Sequence, residues 1–393
     1  MVVVTSVLTS HGAGGSGVAA RRRTSYLRRM DLTLVACALA LSILGAVLVW
    51  SATQGKLVDQ GMDPQQYFKK HLMNLVIGVA LGWILSKFDY RLLRAYTPIL
   101  WVASILGLIA VLSPLGKTIN GAHAWILLPA GFSIQPAEFA KIAIILGMSM
   151  ILSEKRDAES EPRDIDVLQA LAVAAVPMAL IMLQPDLGTV MVMACIVFGI
   201  IAVSGAPARW LIGILLVGLL VGFVAIKLHV LQDYQLQRLT AFADPSGNGR
   251  TFGYNTQQAR IAIGSGGLTG TGLFHGPQTQ GRFVPENQTD FVYSVAGEEL
   301  GMLGAGAIIV LLGVLLWRAV RIATRASDLF GRLVASGIAV WIGFQAFENI
   351  GMNLGIMPVT GVPLPFVSYG GTSMFASWMA VGLLMNVHLR TQE

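Results

Sequence analysis

The residues from Leu32 to Gly55 form a run of 24 without one charged side chain. A transmembrane helix needs roughly 20 mostly apolar residues, so the run is long enough to span a bilayer and too long for the apolar core of a cleavable signal peptide. Further apolar segments follow at about 71–86, 95–116, 136–152, 167–183, 187–204, 209–228, 291–317, 333–353 and 364–388, each bounded by charge, Pro or Gly. The pattern predicts an all-α polytopic membrane protein with ten transmembrane helices. Composition agrees, since only 12% of the chain is charged, against about a quarter in soluble domains. Uninterrupted apolar runs exclude a membrane β-barrel, whose strands alternate. Cys37 and Cys195 lie inside apolar runs without a neighbour at redox or ligand spacing, so no disulfide is expected.

Residues 1–30 are Gly/Ser/Thr-rich and then Arg-rich, and read as a disordered basic cytoplasmic tail. Residues 31–390 read as the membrane domain. With the tail inside, the cytoplasmic segments hold 17 Lys and Arg and the outer side nine, four of them in one long loop where the positive-inside rule is weak. Both ends are therefore predicted to be cytoplasmic. The net charge of +6 reads as a topology signal, not as affinity for nucleic acid. Between the seventh and eighth spans, residues 230–290 form a large extracytoplasmic loop rich enough in Tyr234, Leu239, Phe242, Phe252, Tyr254, Ile261 and Ile263 to fold into a cap of short helices. Its Gly-rich piece, Gly264–Gly272, lacks the spacing of a P-loop or a dinucleotide turn and reads as a turn or hinge allowing close backbone approach.

Within the fourth span, Glu138 and Lys141 sit three residues apart on one helix face. Each ion alone costs about 2.5–3.5 kcal/mol at mid-membrane, so the pair must face protein, water or ligand. It is either an internal salt bridge or part of a polar cavity for a charged head group. Lys117, Asn120, His123 and Trp125 converge on the same side, with Asp186 of Gln184-Pro-Asp-Leu-Gly188, which is either a helix cap or a site residue. The densest constellation is Arg282-Phe-Val-Pro-Glu286-Asn-Gln-Thr-Asp290. Asp290, at the outer end of the eighth span, is either an N-cap or a general base, because a carboxylate at a partly desolvated rim can take a proton near neutral pH. Glu298 and Glu299 read as packing or gating residues, or as partners of a buried base. Glu348-Asn349 and the Pro/Gly-broken segment 358–373 place polar groups and irregular backbone where only protein or a cavity can cover them. Ser368 marks a helix start with exposed amides, an anion site or a point of close packing. Zinc and calcium motifs are missing, while a single divalent cation, Mg or Mn, bridging carboxylates and a diphosphate is compatible with the residues.

Five separated motifs carry a resemblance: Asn120-Gly-Ala-His-Ala-Trp125, Gln135-Pro-Ala-Glu-Phe-Ala-Lys141, Gln184-Pro-Asp-Leu-Gly188, Phe283-Val-Pro-Glu-Asn-Gln-Thr-Asp-Phe291 and Pro363-Leu-Pro-Phe-Val-Ser-Tyr-Gly-Gly371. In order, they resemble the RodA/FtsW (SEDS) family of membrane glycosyltransferases, with Thr289-Asp-Phe and Val359-Thr-Gly-Val-Pro-Leu-Pro closer to the elongation branch, RodA, than to the division branch. The resemblance implies polymerisation of peptidoglycan glycan strands from lipid II in the bacterial cytoplasmic membrane, with Asp290 as the essential acid and undecaprenyl diphosphate leaving. Lys117, Lys141, Arg260 and Arg282 are then candidates to stabilise the diphosphate, with Glu138, Asp186, Glu286 and Ser368 lining the substrate site. It also implies a single-span class B penicillin-binding protein, a transpeptidase, packed near the eighth and ninth spans, where Gly301, Gly304 and Gly306 allow close approach. A lipid II flippase, another transporter, and a non-catalytic scaffold are the competing readings of such a bundle.

Overall fold

A computed structural model describes residues 29–119, 122–128, 132–154, 161–227 and 252–391. The tail before residue 29 and the first part of the outer loop, with Tyr234, Leu239 and Phe242, lie outside the described residues. Thirteen helices fall within them: α1 (Leu32–Asp59), α2 (Gln66–Lys87), α3 (Tyr90–Leu112), α4 (Pro136–Leu152), α5 (Asp164–Met182), α6 (Leu187–Val203), α7 (Ala208–Lys227), α8 (Phe252–Ser265), α9 (Pro277–Gln280), α10 (Val292–Glu299), α11 (Gly301–Arg325), α12 (Leu329–Leu354) and α13 (Gly371–Thr391). Eight of these, α1, α2, α3, α5, α7, α11, α12 and α13, are long and apolar enough to cross a membrane. The other two predicted segments became α4 and α6, of 17 residues each; at ~1.5 Å per residue they fall short of a ~30 Å hydrocarbon core. The chain is a multi-pass membrane protein.

Local chemistry sets the helix ends and pairs them. Asp31 caps α1 by accepting from the Leu34 amide (3.1 Å), and its second oxygen takes Arg318 of α11 (Nε, 2.7 Å). Arg29 donates to the Leu389 carbonyl at 3.0 Å, so the start of α1 and the end of α13 share one face, the Arg-rich side predicted to be cytoplasmic. Next to α13, α2 approaches to backbone contact: a Cβ on Gly382 would lie 2.3 Å from the Gly82 carbonyl oxygen. At the other extreme, α7 packs chiefly on α6 and has no buried residue in its most apolar stretch.

Two expectations are corrected. The bundle is not purely helical, because Gly116–Ile119 (β1), Ala122–Leu128 (β2) and Phe132–Ile134 (β3) form an antiparallel sheet in the order β1-β2-β3. Short β-branched and aromatic stretches joined at Asn120-Gly121, a hairpin dipeptide, favour strands there. Thr372, at the start of α13, holds the end of the sheet by donating to the Ser133 carbonyl and accepting from the Gln135 amide, both at 3.1 Å.

The second correction concerns the eighth predicted span, which breaks into α10 and α11 at Leu300-Gly301 (Gly301 φ 65°). A break strands the last carbonyls of one helix and the first amides of the next, and water is scarce there to satisfy them. The Gly-rich segment supplies the partners. Thr271 and Gly272 amides donate to the Glu298 and Glu299 carbonyls at 3.0 and 3.1 Å, while Met302 and Leu303 amides donate to the Gly267 and Leu268 carbonyls at 2.9 and 3.1 Å. Only glycine tolerates this approach, since a Cβ at Gly270 would lie 2.1 Å from the Glu299 carbonyl oxygen. The side chains of the two acids at the break are committed to neighbouring elements, α9 and α1. Buried Glu298 accepts from the Gln278 amide (2.7 Å) and from the Thr279 amide and hydroxyl (2.8 and 2.6 Å), and Glu299 accepts from Ser51 of α1 at 2.7 Å. They fasten the outer segment to the bundle. The tenth predicted span likewise starts late, with 364–370 irregular and α13 beginning at Gly371.

Candidate active site

Asp290 lies in a turn whose backbone is bonded on both sides. Glu286 adopts φ 52°, which aims its carbonyl at the amides of Thr289, Asp290 and Phe291 (3.1, 3.1 and 3.3 Å). The three successive carbonyls on the opposite side are each taken by a distant element. Gln288 O accepts from the Tyr369 amide (2.9 Å), Thr289 O from the Ser368 hydroxyl (2.5 Å), and Asp290 O from the side-chain amides of Asn349 (2.9 Å) and Asn353 (3.1 Å) of α12. Beneath the turn, Val284 and Phe291 bury themselves against Ala259, Met352 and Val359. Asp290 itself is half-buried, at the outer start of α10. The Glu286 carboxylate folds back onto its own turn, accepting from Gln288 Nε2 (3.2 Å) and the Thr289 hydroxyl (3.3 Å).

Of the two sequence readings of Ser368, an anion site or a point of close packing, its contacts match the second. Its hydroxyl is buried, donating to Thr289 O and accepting from the Leu364 amide at 2.8 Å. That leaves it holding two loops together.

A second polar cluster lies deeper. Lys141 Nζ sits 2.7 Å from Glu138 Oε1 with both side chains almost fully buried (1% and 3% exposed). The ammonium also donates to Gln345 Oε1 at 3.0 Å and stands 4.7 Å from the centre of the Trp341 ring. Gln345 accepts from Trp341 Nε1 (2.7 Å) and donates to the Pro363 carbonyl (2.8 Å). Asp186 is the N-cap of α6: it accepts from the Thr189 amide (3.0 Å) and hydroxyl (2.8 Å), and also from Gln135 Nε2 at 3.1 Å. Fully buried Glu348 of α12 lies in the field of both Asp186 and Lys141. The fourth-span pair thus faces protein, on the face turned towards α12.

The remaining cations are spread across the outer face. Exposed Arg282 pairs with Asp59 at the end of α1. Arg260, on α8, lies over the carboxyl end of α12, where a Cβ on the left-handed cap residue Gly355 would come within 3.2 Å of its Cδ; a guanidinium there complements the helix dipole. Lys117 is exposed on β1, opposite Trp125. Lys69 is engaged by Asp63 at 2.6 Å, and that ammonium together with the Gln65 amide holds the Asp63 carboxyl below the usual carboxylate range. Among the described residues no three His, Cys, Asp or Glu side chains are grouped to hold a metal ion, so these residues alone do not make a metal site.

The structure therefore brings Asp290, Glu286 and Ser368 to one turn and Glu138 and Lys141 to a buried pair, with half-buried Asp186 capping α6 and bonded to Gln135 just before α4, and Lys117, Arg260 and Arg282 on the outer surface. Gln345 and Asn353 were missed in the sequence. The available signal was their spacing with Asn349, four residues apart on one stripe of an otherwise apolar helix.

Comparison with known proteins agrees with this architecture. Residues 31–393 match the family model described as cell cycle protein, FtsW/RodA/SpoVE. The stage V sporulation protein E of Bacillus subtilis is 40% identical over 361 residues, covering 91% of this chain and 96% of its own. A probable peptidoglycan glycosyltransferase FtsW of Trichlorobacter lovleyi is 36% identical, covering 93% and 95%. Among solved structures, a chain of a peptidoglycan synthase complex that coordinates polymerization and crosslinking superposes with a TM-score of 0.77 at 32% identity, covering 93% of this chain and 99% of that one. The rod shape determining protein RodA of Thermus thermophilus gives 0.67 at 31% identity, covering 93% and 98%. With this coverage by sequence and by structure, the chain belongs to the FtsW/RodA/SpoVE (SEDS) family.

Proposed function

We propose that this chain is a peptidoglycan glycosyltransferase of the bacterial cytoplasmic membrane that polymerises glycan strands from lipid II. The observation that carries the reading is the placement of Asp290: a half-buried carboxylate at the outer start of α10, on a turn bonded along both sides of its backbone. Asp290 accepts the proton of the acceptor sugar hydroxyl as that oxygen attacks the anomeric carbon of the donor. The bond from that carbon to the diphosphate breaks, and undecaprenyl diphosphate leaves with the electron pair. General-base help of this kind is worth about 10²–10⁴ in rate. Exposed Lys117, Arg260 and Arg282 are the outer cations available to the leaving diphosphate, whereas Lys141 is enclosed by Glu138, Gln345 and Trp341. A class B penicillin-binding protein is the proposed partner, with α11 and α12 as its contact. The likeness to a complex coordinating polymerization and crosslinking supports such a partner, while the contact helices rest on the family resemblance.

Purified protein with its transpeptidase partner and lipid II in detergent should give glycan ladders on a gel. Asp290→Asn should lower the rate by about 10²-fold or more while leaving the protein folded. A flippase needs a sealed bilayer and makes no polymer, so an absence of ladders from wild-type protein would sink the enzyme reading. Normal ladders from Asp290→Asn would remove the base alone. Thr289-Asp-Phe and the Val359–Pro365 segment favour elongation, whereas the names of relatives favour division or sporulation. Sidewall or septal localisation of a tagged copy decides between these duties.

A further inference from the structure

Three buried amide side chains, Gln345, Asn349 and Asn353, recur every fourth residue along α12, each at most 1% exposed. Primary amides are unwelcome in a membrane bundle unless bonded, and each of these directs a donor away from its own helix. Gln345 reaches Pro363 O, Asn349 reaches Val362 O (2.8 Å) as well as Asp290 O, and Asn353 reaches Asp290 O while its Oδ1 accepts from the Ser294 amide (3.1 Å). Two amides therefore converge on one carbonyl oxygen, filling both of its lone pairs. A simple tether between α12 and the turn would need one. With Ser368 on the preceding carbonyl, the peptide planes flanking Asp290 are fixed, and with them the direction in which its Cβ leaves the backbone.

We infer that Asn349, Asn353 and Ser368 are positioning residues that act through Asp290. They hold its carboxylate at the angle and depth from which it meets the acceptor hydroxyl. The inference rests on the proposed role of Asp290 as base. It assigns Ser368 to alignment and takes it out of diphosphate contact. The geometry matters because a displacement of about 1 Å at a reacting group can cost on the order of 10²-fold in rate.

The test uses the full chain with its transpeptidase partner. Asn349→Leu, Asn353→Leu, the two combined, Ser368→Ala and Asp290→Asn are compared for kcat and KM with lipid II, for the pH profile of kcat and for melting in detergent. The combined Asn variant should lose about 10²-fold in kcat with KM changed by less than about threefold, and the acid limb of its pH profile should move. Ser368→Ala should show the same split at smaller amplitude. Adding Asn349→Leu to Asp290→Asn should cost nothing further, since residues acting through one group do not add. Wild-type kcat in the combined variant, or an equal loss with and without Asp290, overturns the inference while a crippled Asp290→Asn leaves the base standing. Full activity in Asp290→Asn removes both. Should the Leu variants fail to fold, Ser368→Ala decides by the same split, because it deletes a single oxygen, and an unchanged kcat there counts against the clamp.

Discussion

Two acid–base pairs in this protein have the same chemistry and opposite surroundings. Glu138 and Lys141 are enclosed among α4, Trp341 and Gln345, with 3% and 1% of their side chains exposed, whereas Asp59 and Arg282 join α1 to the outer segment with 66% and 44% exposed. Water screens the second pair and offers each member another partner when it separates. The first has no such refuge, so its members depend on each other and on Gln345. The sign of charge says little about what an ion pair is for, and its access to solvent says much.

The contrast has measurable consequences. Lys141→Met strands Glu138 in the bundle and should destabilise the fold by about 3–5 kcal/mol, seen as a large fall in detergent melting temperature and folded yield. Adding Glu138→Gln to it should recover most of that loss, because both charges then leave together; no recovery would mean that the pair is needed for more than mutual compensation. Gln345→Leu removes an acceptor from Lys141 and Trp341 and a donor from Pro363 O. It should cost about 1–3 kcal/mol, again read by melting. Arg282→Ala should change stability by no more than about 1 kcal/mol, with the small effect vanishing in high salt. A melting shift for Arg282→Ala as large as that for Lys141→Met would erase the distinction.

Much of this fold could be read from the chain because a bilayer imposes length and polarity rules on each helix separately. The apolar runs located the long helices, eight of which are apolar enough to cross a membrane. The sheet at 116–134 escaped, although Asn120-Gly121 advertised a hairpin, because the residues between the predicted spans 95–116 and 136–152 read as an outer loop. The break at Gly301 escaped for another reason: Glu298 and Glu299 read as polar residues within one long span, and the interruption beside them depends on Gly267–Gly272 arriving from earlier in the sequence. Asp290 and Glu286 were visible as a dense polar motif. The commitment of Ser368 to Thr289, of Glu298 to α9 and of Arg282 to Asp59 was not, since each pairing joins segments whose neighbourhood exists only after folding.

The seam between the Gly-rich segment and the split eighth span has a mechanical consequence. Four main-chain bonds cross it, two in each direction, so the outer segment cannot lift away without baring the ends of α10 and α11. Asp290 sits two residues before α10, on the bonded turn that leads into that helix. Force applied to the outer segment, by a bound strand or a neighbouring protein, is therefore transmitted to the carboxylate through backbone, with no loose joint between them.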